Sequence, residues 1–381
     1  MKVLHVTAII DPVAGGGIAE RTFQIARFME RAGVKSVVLT LDLGLSAERI
    51  EALTPASLTA LHCVMPRFYL FLVPEPRIRE LVRWADVVHL VGHWTVLNAL
   101  VSREARKQGK PYVVCPAGAL PIFGRSPWLK AAYNRLVGKR MVRDASGCVA
   151  IAVNEFAHFT DYGVPPERVT LIPNGVDPDE FSDSDSDSFR RRFGLPPAPL
   201  VLFLGRLAPI KGPDLLLRAF QSIAASHPAV HLVFAGPDGG MLGELRTAAS
   251  QGSSAERVHF IGPIRGAEKS RACHAASLLA VPSRQEAMSL VALEAGICGT
   301  PVLITDQCGF DEIGSAGGGL VVRASEDGLV KGLRTMLASP DELAAMGARL
   351  RQLTLSRYLW NGIVQQFVNL LSQITLARGR A

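Results

Sequence analysis

The sequence predicts an α/β protein with two domains, each built on a parallel β-sheet. Short apolar runs alternate with longer amphipathic stretches along most of the chain, which is typical of parallel strands joined by covering helices. The 381 residues exceed what one hydrophobic core usually supports, and 48% of them are apolar, which is sufficient for two cores. A serine- and aspartate-rich segment at 182–188 separates the two halves and cannot bury a face.

The first half begins with an apolar strand and an amphipathic helix at 18–32. Its predicted strands are 3–7, 36–40, 87–91 and 112–115. Gly15, Gly16 and Gly17 lie between the first strand and the helix, where open parallel sheets bind ligands and glycine lets a backbone approach a phosphate. Their spacing disfavours a nicotinamide dinucleotide site, and a glycine turn without a ligand is the alternative.

The second half repeats the pattern and ends in a long amphipathic helix at 359–376. Its predicted strands are 200–204, 231–235, 258–261, 278–281 and 302–304, and a helix is predicted at 214–225. We therefore expect domains at 1–181 and 199–355, a solvated polar linker at 182–198, and a terminal segment at 356–381.

The net charge of +7 is unevenly distributed. Ten Lys or Arg residues and one acid, Glu104, lie in 103–143. Nucleic acid is disfavoured as a partner, because no nucleic-acid-binding motif accompanies this segment. Its apolar companions Phe123, Trp128 and Tyr133 fit an anionic membrane surface or a lipid-phosphate acceptor better. The alternative is that the apolar side packs onto the first domain.

The localisation predicted from the sequence is cytoplasmic, with peripheral attachment at the inner face of the plasma membrane. No apolar run reaches the roughly 18 residues of a membrane span, and the amino terminus has no cleavage-type site. The six cysteines have no C-x-x-C spacing and no metal-binding pattern, which favours a reduced protein.

Two glutamates with seven residues between them, Glu286 and Glu294, span a predicted junction between a loop and a helix. Ser289 is a plausible N-cap, and the free N–H groups of the first helical turn, including that of Leu290, would face the same space. N–H donors between two carboxylates suit a sugar attached to a phosphate. Two unrelated glutamates on a helix surface are the alternative.

Two cations, Arg206 and Lys211, follow a predicted buried strand. A guanidinium fork and an ammonium at this position can neutralise a diphosphate leaving group without a metal. A surface pair on a loop is the alternative. His89 and His93 interrupt and follow another apolar strand. A buried histidine is more often structural than functional.

These motifs resemble those of a large family of retaining, metal-independent nucleotide-sugar glycosyltransferases, family four of the bacterial polysaccharide type. The resemblance rests on Glu-x7-Glu followed by Gly299-Thr300-Pro301-Val302, the Arg206 and Lys211 segment, residues 172–177 and the glycines at 15–17. It covers nearly the whole chain in order. It implies the GT-B fold, in which two Rossmann-like domains face an interdomain cleft and a C-terminal helix, here within 356–381, crosses back to the first domain.

The resemblance also implies roles for the candidate residues. Glu286, Arg206 and Lys211 would act at the reacting sugar and the leaving diphosphate, and His89 and His93 on the acceptor side. Donor binding would fall to Gly16, Gly17, Ser289, Leu290 and Glu294, with Glu294 on the ribose. No cofactor or metal is expected, and the donor would be a UDP- or GDP-sugar.

Two departures from the family pattern bear on function. Ala287-Met288-Ser289 stands where relatives usually have glycines, which narrows the space at the sugar. Ala117 stands where many relatives have His or Arg, so no side chain there can donate to the departing phosphate. We expect transfer to a glycan or lipid-linked acceptor in cell-envelope or exopolysaccharide synthesis. A nucleotide-sugar epimerase of the same fold, and a non-catalytic sugar-nucleotide or membrane-binding protein, are the alternatives.

Overall fold

The structure is a computed structural model that describes residues 1–72, 75–122, 124, 126–252 and 254–379. It has two compact units. The first contains residues 1–174 and the terminal helix Trp360–Gly379, and the second is Gly175–Leu359. Among the described residues, no helix combines the length and apolarity needed to cross a bilayer.

The first unit is built on a seven-stranded sheet in which all the neighbouring strands are parallel. Its strands are β1 (Lys2–Val6), β2 (Lys35–Leu41), β3 (Ser57–Leu61), β6 (Val87–Val91), β7 (Tyr112–Cys115), β8 (Gly147–Ala150) and β9 (Val169–Leu171), and β4 (Cys63–Met65) and β5 (Leu70–Phe71) form a separate antiparallel hairpin. The order β3-β2-β1-β6-β7-β8-β9 reverses direction between β1 and β6. Open α/β sheets bind ligands at such a reversal, beyond the carboxyl ends of the strands.

Helices cover this sheet. They are α1 (Pro12–Arg31), α2 (Ala47–Leu53), α3 (Glu75–Trp84), α4 (Val96–Lys107), α5 (Pro127–Tyr133), α6 (Lys139–Arg143) and α7 (Glu155–Asp161). The predicted glycine loop lies inside α1 as a break, because Gly16 has φ 61° and ψ −145°. The helix begins earlier than predicted since the Asp11 carboxylate accepts from the N–H groups of Val13 and Ala14.

The second unit contains a six-stranded parallel sheet in the order β12-β11-β10-β13-β14-β15. Its strands are β10 (Leu200–Leu204), β11 (His231–Ala235), β12 (Val258–Gly262), β13 (Leu278–Val281), β14 (Val302–Thr305) and β15 (Gly319–Val322). Its helices are α8 (Ser186–Phe193), α9 (Pro213–Ile223), α10 (Leu242–Ser250), α11 (Ala267–Ala275), α12 (Leu290–Ile297), α13 (Glu312–Ser315), α14 (Glu326–Leu337) and α15 (Pro340–Arg357). The predicted α/β class with two parallel sheets is therefore confirmed, and this sheet reverses its order between β10 and β13.

The boundaries differ from the predicted domains at 1–181 and 199–355, because the first unit ends at Asn174 and the second continues to Leu359. The buried Arg21 of α1 donates to the carbonyl oxygens of Ile172 (2.9 Å) and Pro173 (2.6 Å), which holds this stretch in the first unit.

The predicted linker at 182–198 also differs from the structure, because it folds as part of the second unit. Asp183 forms an ion pair with Arg271 at 2.7 Å, and Asp185 caps α8 through the N–H of Ser188.

Candidate active site

A charged pair lies where the second sheet reverses its order. Lys211 ends a short turn (Pro209–Lys211) after β10, and Glu286 lies in the loop after β13. The Lys211 Nζ atom is 2.7 Å from Oε1 of Glu286. The glutamate side chain is 10% exposed and the lysine side chain 35% exposed, so the carboxylate is nearly buried and the lysine lies closer to solvent.

The turn that carries Lys211 is fixed against the end of β13. Gly212 has φ 66°, and a Cβ atom there would lie 2.1 Å from the carbonyl oxygen of Pro282, so only glycine fits. The backbone N–H of Arg284 donates to the Ile210 carbonyl oxygen at 2.8 Å. The guanidinium group of Arg284 donates to both carboxylate oxygens of Asp214, at 2.8 and 2.6 Å. Arg284 therefore ties the two strand-end loops together.

Glu286 is held from the neighbouring strand β14. Its N–H donates to the carbonyl oxygen of Gln307 at 2.8 Å, and the Ser283 hydroxyl donates to its Oε1 atom. The Thr305 hydroxyl in turn donates to the Ser283 carbonyl oxygen. Contacts from three adjacent strand ends thus set the position of this carboxylate.

Helix α12 begins at Leu290, directly after Ser289, as the sequence predicts. The Ser289 hydroxyl makes no capping bond, and its buried oxygen has no hydrogen-bond partner among the described residues. Glu294 lies one turn into the helix with its side chain buried, and Lys269 of α11 forms an ion pair with it. Sequence reasoning missed Lys269, because no local pattern connects it with Glu294, 25 residues away.

Arg206 is exposed in the loop after β10. Its side-chain stem lies against Gly239, since a Cβ atom there would come within 2.8 Å of the Arg206 Cγ atom. Among the groups that the structure describes, no cluster of three or more His, Cys, Asp or Glu side chains could hold a metal ion.

In the first unit, Gly16 and Gly17 follow β1 and His93 follows β6, so they lie at the ends of the two strands where this sheet reverses its order. The predicted acceptor-side role of His89 does not fit its position. It is 0% exposed, its Nδ1 atom is 3.0 Å from Nδ1 of His5, and its ring packs 4.6 Å from that of Phe367 on the terminal helix. Burial lowers the pKa of His89 well below its usual range.

His93 is also buried, but it belongs to a polar network at the end of β6. Its Nε2 atom is 2.9 Å from Oδ1 of Asn134, whose amide donates to the Tyr162 hydroxyl, which donates to the Leu120 carbonyl oxygen. The direction of these bonds assigns the proton to Nε2 and leaves Nδ1 as an acceptor, for which no hydrogen-bond partner is found among the described residues. Burial lowers the pKa of His93 to about 4.

The network depends on a π-helical turn at Asn134–Gly138, between α5 and α6. This turn buries Asn134, while Trp128 and Leu136 stay 71% and 81% exposed. Lys139 and Arg140 are also exposed, and Phe123 lies outside the described residues.

Ala117, after β7, has φ 50°, and the Gly118 N–H donates to the buried carboxylate of Glu155 at 2.5 Å. The other Glu155 oxygen accepts from the Ile151 N–H at 2.7 Å. Burial raises the pKa of Glu155, and the two N–H donors oppose that shift. Glu155 therefore fixes the loop that contains Ala117, the residue that stands in place of a His or Arg. Sequence reasoning did not find the contact between Glu155 and this loop.

Two family models match the chain. Residues 15–180 match Glycosyltransferase Family 4, and residues 185–353 match Glycosyl transferases group 1. Both units are therefore covered almost completely by glycosyltransferase models.

Individual proteins also match the chain over most of its length. A D-inositol 3-phosphate glycosyltransferase of Stackebrandtia nassauensis is 28% identical over 359 residues, which cover 86% of this chain and 80% of that protein. Anabaena HepE in complex with UDP-glucose has a TM-score of 0.79 at 21% identity, over 98% of this chain and 100% of HepE. WaaG, a glycosyltransferase involved in lipopolysaccharide biosynthesis, has a TM-score of 0.71 at 21% identity, over 97% and 99%. These likenesses confirm the GT-B fold.

Proposed function

We propose that this chain, which belongs to the glycosyltransferases that join a family 4 domain to a group 1 domain, transfers a sugar from a nucleotide diphosphate sugar with retention and without a metal. The observation that carries the proposal is the Lys211–Glu286 pair beside the start of α12. It combines a cation for phosphate, a carboxylate for hydroxyl groups and a helix N-terminus in one place. We favour a UDP-sugar, because HepE is described in complex with UDP-glucose.

In the proposed mechanism, the second unit stabilises the leaving diphosphate. Lys211 and Arg206 supply positive charge, and the N–H groups of the first turn of α12 supply fixed dipoles. Glu286 accepts hydrogen bonds from the hydroxyl groups of the sugar and Glu294 from those of the ribose. Because Lys211 and Glu286 are adjacent, the cation for the phosphate and the carboxylate for the sugar are already in one place when the donor binds and replaces their contact.

Retention follows from attack on the face from which the diphosphate departs. The side chain of Ala117 can act neither as a hydrogen-bond donor nor as a nucleophile. The acceptor hydroxyl therefore passes its proton to the leaving phosphate oxygen. In the same step the new glycosidic bond forms and the sugar–phosphate bond breaks. His93, with an acceptor nitrogen at the end of β6, is the residue of the first unit that we assign to the acceptor side.

The acceptor that we propose is a glycan or a lipid-linked sugar of the cell envelope, at the inner face of the plasma membrane. The exposed Trp128 and Leu136, beside Lys139 and Arg140, combine apolar and cationic groups suited to an anionic lipid surface. WaaG, which is involved in lipopolysaccharide biosynthesis, is consistent with this context.

The experiment is a transfer assay on the full chain. A thermal-shift screen against UDP-, GDP- and ADP-sugars identifies the donor, and transfer to envelope glycolipid extracts is then measured by mass spectrometry. Lys211→Ala should lower kcat about a hundredfold, which corresponds to roughly 3 kcal/mol for one lost donor to the leaving group. Lys331→Ala, an exposed lysine of α14, is the matched control. Equal rates in a folded Lys211→Ala variant and the control would refute the assignment.

A further inference from the structure

A cluster of two thiols and a histidine lies in the second unit, on α11 and at the end of α12. Cys273 is buried in α11, and Cys298 is the half-buried residue that caps the end of α12. The Cys298 thiol interacts with both the Cys273 thiol and the side chain of His274. The hydroxyl of Thr300, two residues after Cys298, donates to the carbonyl oxygen of Cys273 at 2.7 Å, so the end of α12 is held against the part of α11 that carries Cys273.

The position of the pair follows from helical spacing. Cys273 is four residues after Lys269 on α11, and Cys298 is four residues after Glu294 on α12. Residues at this spacing share one face of a helix. The thiols therefore lie one turn beyond the Lys269–Glu294 ion pair, which already joins the two helices.

The surroundings activate one thiol and bury the other. The Cys273 thiol and, to a smaller extent, the His274 ring lower the pKa of Cys298 to about 6, against the opposing effect of burial. His274 has a raised pKa because of its hydrogen bond to Cys298, and its Nε2 atom faces the Phe181 carbonyl oxygen at 3.2 Å. A helix C-terminus by itself disfavours a thiolate, so the histidine is the group that opposes this effect.

We propose that Cys298 is a peroxide-reactive thiol and that Cys273 is its resolving partner, so that oxidation links α11 to α12 by a disulfide. The Cys298 thiolate attacks hydrogen peroxide, the O–O bond breaks, and Cys298 sulfenic acid and one water form after uptake of a proton. The Cys273 thiol then attacks the sulfenic sulfur, and the hydroxyl leaves as a second water. Two thiols are oxidised and one peroxide is reduced to two waters.

The test uses the full chain exposed to equimolar hydrogen peroxide at pH 7.5, followed by alkylation and digestion without reductant. We expect the Cys273 and Cys298 peptides to be joined, and four of the six cysteines to remain alkylated. In Cys273→Ser, a cyclic diketone should trap the sulfenic acid on Cys298. In Cys298→Ser, peroxide consumption should fall at least tenfold. Cys63→Ser is the control, because a serine can keep the hydrogen bond to the Leu70 carbonyl oxygen and the thiol pair is untouched.

A second measurement holds even if a variant fails to fold. In the native wild-type chain, iodoacetamide at pH 7 should alkylate Cys298 at least tenfold faster than any buried cysteine. Equal alkylation rates, oxidation that joins other cysteines, or oxidation of Cys298 to the sulfinic acid with Cys273 still reduced would each overturn the proposal.

Discussion

Acid should destabilise the first unit through three buried histidines, His5, His89 and His93. Burial lowers the pKa of His5 to about 3 and that of His93 to about 4, and it holds the pKa of His89 well below its usual range. In the unfolded chain each pKa is about 6.5. Between these limits the unfolded state binds more protons than the folded state, so stability falls as the pH drops below 6.5.

The magnitude follows from this linkage. At pH 5.5 an unfolded histidine with a pKa of 6.5 favours unfolding by about 1.4 kcal/mol when the folded state stays neutral, and three such residues give about 4 kcal/mol. His5 and His89 reinforce the effect. Their Nδ1 atoms are 3.0 Å apart, so one ring must accept the proton that the other donates, and protonating both removes the acceptor.

The measurement is urea unfolding at pH 7.5 and 5.5, followed by tryptophan fluorescence. All four tryptophans, at 84, 94, 128 and 360, belong to the first unit, so the signal reports that unit alone. His93→Gln keeps an N–H donor for Asn134 and should reduce the loss of stability between the two pH values by about 1.4 kcal/mol. His227→Gln, in the second unit, is the control. A loss that is unchanged in His93→Gln would refute the assignment of a neutral, buried His93.

Three further predictions concern function. Glu294→Gln should chiefly raise the KM for the donor, whereas Glu286→Gln should chiefly lower kcat, as steady-state kinetics will measure; equal effects on donor affinity by calorimetry would refute this division of roles. Transfer should persist in EDTA, and a complete loss that Mg²⁺ or Mn²⁺ restores would contradict the metal-free mechanism. The double substitution Lys139→Glu with Arg140→Glu should weaken binding to anionic vesicles in a co-sedimentation assay, because each basic residue contributes about 1 kcal/mol of binding free energy. The control substitutions Lys331→Glu with Arg334→Glu should leave binding unchanged. Binding that ignores salt and both pairs would place the contact elsewhere.

The strands and the charged site were accessible from the sequence because both depend on short-range patterns. Apolar runs mark the strands, and residues that follow parallel strands gather at one edge of the sheet. The family resemblance assigned Lys211 and Glu286 to the same donor, and the structure places their side chains in contact. Short-range patterns could not supply Lys269 or Arg284 as partners, because their contacts join α11 to α12 and Arg284 to α9, which lie far apart in sequence.

The wrong expectations have the same physical origin. The family resemblance placed His89 on the acceptor side, but it lies inside a buried strand and Phe367 of a helix near the end of the chain covers its ring. The segment at 182–188 is polar enough to be a solvated linker, yet Arg271 pairs with Asp183 and Asp185 caps a helix. In both cases the local composition allows either an exposed or a packed arrangement, and a contact with a distant residue or a helix cap decides which one forms.

The Lys211–Glu286 pair explains how the site can keep charges ready in a partly buried place. An unpaired charge there would be costly, but each partner compensates the other, and Ser283 satisfies the same Glu286 oxygen. A donor that offers a phosphate to Lys211 and hydroxyl groups to Glu286 replaces this one ion pair by two charge-assisted contacts. A ligand with a phosphate alone leaves Glu286 without its cation, and a free sugar leaves Lys211 without its anion. If the proposed function is right, we therefore expect the pair to favour molecules that carry both groups, as a nucleotide diphosphate sugar does.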